Sequence, residues 1–119
     1  MPRKLRVAGD VQQLLSEHLL ALEDPRLLGA GVTRVELSDD LQSARVFVRI
    51  AVGPDDPTRR QDLLRALRAA AGRLRHHVGR ALGLRFTPEL HFHYDRGPDA
   101  AWRVEEILAE IRGEGGEGG

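Results

Sequence analysis

Residues 44–52 read ARVFVRIAV and alternate without a break. Ala44, Val46, Val48, Ile50 and Val52 fall on one side; Arg45, Phe47, Arg49 and Ala51 fall on the other. Successive side chains of a strand point to opposite faces, so this run predicts a strand with one buried and one open face. A sheet buried on one face needs a cover. The sequence supplies two candidates. In 59–82, Leu63, Leu67, Ala70, Leu74, Val78 and Leu82 form one apolar stripe at helical spacing. In 5–22, Val7, Val11, Leu14, Leu15, His18, Leu19 and Leu22 form another.

The other elements follow from punctuation. "EDPR" (23–26) ends the first helix, because Pro25 disfavours the helical conformation at Asp24. Residues 32–38 (VTRVELS) are β-rich, and "SDDLQ" turns them back into 44–52 as an antiparallel hairpin. "GPDDPT" (53–58) is a loop with Thr58 as a helix N-cap. Gly72 interrupts the second stripe without shifting its phase, so a kink is expected there. A third strand after Pro88 places Leu90, Phe92 and Tyr94 on one face. Residues 99–112 predict a short last helix with Trp102, Ile107, Leu108 and Ile111 on its apolar side, and "GEGGEGG" a disordered tail. The expectation is a single α+β domain over 1–112, ordered α-β-β-α-kink-α-β, with a tail over 113–119.

The 18 basic and 18 acidic residues of this 119-residue chain cancel, but they are segregated. Between Thr58 and Pro88 stand eight arginines (59, 60, 65, 68, 73, 75, 80 and 85) against one acid, Asp62. Segregation creates a local positive field at zero net charge. Seventeen of the 18 basic residues are Arg, a bias a GC-rich genome also produces.

Several chemistries lack their residues. There is no cysteine, which removes disulfides, thiolate nucleophiles and cysteine zinc sites and fits a reducing cytoplasm. The three serines (16, 38, 43) lie in no nucleophile elbow, and "GRALG" (79–83) is not a phosphate-binding loop. Asp39 and Asp40 are read as turn residues bonding local backbone rather than as a metal-binding pair. His76, His77, His91 and His93 lack the thiolate or carboxylate partners of a metal site; His76 and His77 add pH-dependent charge to the arginine region. No run of about 20 apolar residues exists to span a membrane. No cofactor or catalytic activity is expected.

The order α-β-β-α-α-β is that of a type II KH domain, but the G-x-x-G expected between its middle helices is replaced by Ala70-Ala71-Gly72, an A-x-G. With "RVA" (6–8), "DPRL" (24–27), "VELSDDLQSARVFV" (35–48), "LR" after the A-x-G (74–75) and "LGLRFTPELHFHYD" (82–95), the chain resembles the bacterial ribosome-binding factor A family over roughly 3–110. The resemblance implies a single-domain, monomeric, cytoplasmic KH-type protein that is not an enzyme. It implies binding to free small ribosomal subunits and a role in late maturation of their rRNA around the 5′-terminal helix, with support for growth in the cold. A GTPase that helps release is implied as a partner. Ala70, Ala71 and Gly72 would be the kink. His91 and His93, where apolar residues would be expected, and the acidic glycine tail depart from the pattern.

The residues expected to touch RNA are Arg65, Arg68, Arg73, Arg75, His76, Arg80 and Arg85, extended by Lys4 and Arg6 at the start of the first helix. Phe47, between Arg45 and Arg49, is read as packing rather than stacking on a base. Two other readings are a KH module for other RNAs and a protein–protein adaptor.

Overall fold

A computed structural model describes residues 2–97. The expected last helix, with Trp102, and the tail lie outside the described residues. Helix α1 spans Arg3–Ala21 and a 3-10 turn spans Pro25–Leu27. Strands β1 (Ala30–Leu37) and β2 (Ser43–Ile50) form the hairpin. Helix α2 spans Pro57–Leu82 and strand β3 spans Glu89–Tyr94. The sheet order is β1-β2-β3, antiparallel between the first pair and parallel between the second. The α+β class and the three-stranded sheet against helices agree with the sequence.

The alternating run makes β2 the central strand. Val46 pairs with Val35 on one side and Phe92 on the other. The inward residues Ala44, Val46, Val48 and Ile50 meet Val11 and Leu15 of α1 and Leu63, Leu67, Leu74 and Val78 of α2 in one core. Burial of a leucine this size contributes about 1.5–3 kcal/mol. The Tyr94 hydroxyl accepts from the Ile50 backbone N–H at 3.0 Å, so the one polar atom that β3 carries into this layer is satisfied.

The second sheet face is not fully open. Phe47 points away from the helices and is only 4% exposed. The Arg34 guanidinium lies 4.0 Å over its ring and the His93 ring stands 5.5 Å away. A bulge between Val32 and Arg34 leaves Thr33 out of register, and its hydroxyl donates to Asp95.

One local expectation is corrected. The N-cap of α2 is Asp56, not Thr58: its carboxylate accepts from the Arg59 N–H at 2.8 Å, and Pro57 takes the first helical position. Proline there gives up an N–H that has no partner in any helix. Gly72 does not end the helix: α2 runs as one 26-residue element through Ala70, Ala71 and Gly72, the place where the kink is expected. Glycine costs about 1 kcal/mol in a helix interior. Leu63, Leu67 and Ala70 before it and Leu74 and Val78 after it are all buried in one phase. That packing outweighs the local cost.

Candidate nucleic-acid interface

The inner stripe of α2 fixes where its other side chains go. At about 100° per residue, positions seven apart share a row. Arg73 and Arg80 form one row, on the flank toward α1. Arg68 and Arg75 form another, on the far flank. Between them, on the outer face, lie Arg65, His76 and Gly72. The arginines therefore form two rails rather than one patch.

Their partners differ. Arg75 bonds the Thr87 carbonyl through Nε at 3.2 Å and Nη2 at 2.8 Å, which fastens the loop into β3 against α2. That loop sits close: a Cβ on Gly79 would collide with the Thr87 hydroxyl. Gly83 ends the helix at φ +61°, where glycine carries no side-chain penalty. Arg65 lies 3.5 Å from Asp62. Arg59 donates to the carbonyls of Leu28, Val52 and Pro54, and Arg60 pairs with Asp55 at 2.6 Å while stacking on Tyr94. Hydrogen bonding from Arg60 holds the Asp55 carboxyl below the usual range. Arg68, Arg73 and Arg80 form no hydrogen bond or ion pair among the described residues.

Of the predicted residues, then, Arg68, Arg73, His76 and Arg80 project from α2 to solvent. Arg85 stands past the helix end, 5.5 Å from the ring of Phe86, which is 70% exposed. Lys4 is spoken for: its ammonium lies 2.7 Å from Asp39 in the hairpin turn. Arg6 is exposed on α1. Asp40 does what its turn position predicts, accepting from the Ser38 hydroxyl at 2.6 Å and the Gln42 N–H at 3.0 Å.

One member of the site was missed. His18 of α1 stacks on His77 of α2, ring centroids 4.3 Å apart and planes 20° from parallel. Its place in the α1 stripe, in line with Val11 and Leu15, is the signal that could have found it. His18, Gly72, Arg73, His76, His77 and Arg80 line one open groove along the α1–α2 seam, with no acid among them. Among the described residues no group of three or more His, Cys, Asp or Glu could hold a metal, and no helix is long and apolar enough to cross a membrane.

The model of the family described as ribosome-binding factor A matches residues 3–108. A ribosome-binding factor A from Sorangium cellulosum is 52% identical over 116 residues, covering 97% of this chain and 94% of that one. The crystal structure of ribosome-binding factor A from Thermus thermophilus superposes with a TM-score of 0.69 at 32% identity, over 80% of this chain and 98% of that one. A homology model of the same organism's factor, fitted into a cryo-EM map of a 30S–RbfA complex, matches with a TM-score of 0.59 at 34% identity, over 74% of this chain and 90% of that one. A family match over nearly the whole sequence, a relative sharing half its residues and the same folded architecture lead to one statement: this chain belongs to the ribosome-binding factor A family.

Proposed function

We propose that this chain is a ribosome assembly factor that binds free small ribosomal subunits through the outer face of α2. Its role is late maturation of the small-subunit rRNA around the 5′-terminal helix, carried out by binding and without catalysis. One observation carries the reading. Arg68, Arg73 and Arg80 stand on that face with no hydrogen bond or ion pair among the described residues, and a homology model of a relative has been fitted into a map of a 30S complex. Unpaired guanidiniums suit phosphate oxygens, which they contact bidentately. Arg65, His76 and Arg85 extend the contact, and Arg6 adds to it from α1. Arg75 and Lys4, bonded within the molecule, serve chiefly to hold the scaffold. A KH-type domain over 1–112, acting as a cytoplasmic monomer, with a GTPase assisting its release and with importance for growth in the cold, completes the reading.

The test is co-sedimentation with purified small subunits. Association with free small subunits and little with translating ribosomes is expected. Arg68→Glu/Arg73→Glu/Arg80→Glu should abolish it while the protein stays folded. Neutralising about five phosphates gives a log–log salt slope of roughly −4. A slope near zero, or unchanged binding by the triple variant, overturns the reading.

A further inference from the structure

The groove between α1 and α2 holds more than arginine. His18 and His77 come from different helices and lie face to face at 4.3 Å. Stacking covers the ring faces and leaves the edges, where the N–H donors are, open to a ligand. Arg73, His76 and Arg80 complete the lining on the α2 side, and Gly72 removes side-chain bulk from the rim. A Cβ placed on Gly72 would meet nothing within 4 Å, so that stretch of backbone is open to close approach.

The charges that face the groove from each packed element can be named. From α1 comes His18; Glu17 beside it accepts from Gln13. From α2 come Arg73, His76, His77 and Arg80. From the 3-10 turn come Asp24 and Arg26, and Asp24 is held by Arg26 at 2.7 Å. Asp24 also feels Arg73 through space, so the charge it leaves uncompensated in the groove is that of Arg80 and the histidines. Two imidazolium rings at this stacking distance repel each other. Burial first, then His77 and Arg73, push the His18 pKa below its ordinary value, so His18 resists protonation in the ligand-free protein. An anion seated at the ring edges removes that resistance, because it favours the charged form.

We propose that the α1–α2 seam is a proton-linked seat for an RNA backbone phosphodiester: Arg73 and Arg80 hold the phosphate beside Gly72, and the His18–His77 stack takes up one proton from solvent as it docks. This rests on the proposed reading of the α2 face and adds a ligand class and a pH response to it. Binding then tightens as pH falls through the histidine range, by up to about tenfold per pH unit for one linked proton.

The experiment is a titration of the full chain with oligouridylate, whose phosphodiesters and bases keep their charge between about pH 5.5 and 8. Expected is a dissociation constant about three- to tenfold lower at the acid end for the native protein. The double variant His18→Gln/His77→Gln should bind nearly independently of pH. If that variant does not fold, His18→Phe/His77→Phe keeps a stacked pair without a titrating nitrogen, and circular dichroism checks it. Equal affinity at both pH values, an unchanged pH response in the histidine variants, or no binding of oligouridylate at all overturns the proposal. The arginine triple variant separates the two ideas. If it loses small subunits while the native protein binds oligouridylate without pH dependence, the α2 reading stands and the proton linkage falls.

Discussion

The two sides of α2 are built from the same helix and answer to different demands. The inner side places Leu67, Leu74 and Val78 at zero exposure against the sheet. The outer side carries Arg68, Arg73 and Arg80 with no hydrogen bond or ion pair among the described residues. Packing decides the first; the proposed contact with rRNA would account for the second. The glycine between them therefore belongs to the outer side. Gly72 is exposed, and the inner contacts do not notice it.

That division can be tested in graded ways. Leu74→Ala should act on the inner side alone, destabilising the fold by about 3 kcal/mol, read by urea unfolding. A loss under about 1 kcal/mol would mean the stripe is not what holds α2 down. Asp56→Ala removes the N-cap and should cost about 1 kcal/mol in the same assay, with subunit affinity unchanged among folded molecules. Gly72→Ala should separate the sides most sharply. The new methyl enters open space in a helix, so stability should rise by about 0.5–1 kcal/mol. Affinity for RNA should fall, because the methyl blocks close approach to the seam. A gain in both would remove Gly72 from the interface. The smallest effect is that of pH on the free fold. His18 is harder to protonate in the native state than in the unfolded one, so the unfolded chain binds more protons. Stability therefore is present above the ordinary histidine pKa and declines as pH falls below it. A melting temperature measured from about pH 7.5 to 5.5 should drop, and His18→Phe should flatten that part of the curve.

Much of this was legible in the sequence, for reasons that differ by element. The strict period of two in 44–52 located β2 and its inward face, since a one-residue slip would have exposed every valine. The stripe through 63–82 located α2. Helix α2 continues through Gly72, as its unbroken stripe predicts, because both halves of the stripe are buried in one core with residues such as Leu15 and Val46. Thr58 lost to Asp56 because proline at position 57 already fits the first turn, which fixes the cap one residue earlier. The arginine region is asymmetric in the sequence, but its members are held in different ways. Arg59 and Arg75 bond backbone carbonyls of distant loops, and carbonyls carry no sequence signature. Phe47 was read as packed, yet its cover is Arg34 and His93, two residues that look solvent-facing in a sequence.

The parallel pairing of β2 with β3 has a consequence for how the chain is made. Ser43 lies opposite Glu89, so the loop and all of α2 must be synthesised before the sheet closes. During that interval the hairpin and α2 can assemble, while the outer edge of β2 keeps its backbone N–H and C=O groups unpaired. A bare edge of Val, Phe and Ile is a template for pairing with another chain. Strand β3 is the one that closes it, so folding speed after residue 94 sets how long a nascent molecule is open to self-association.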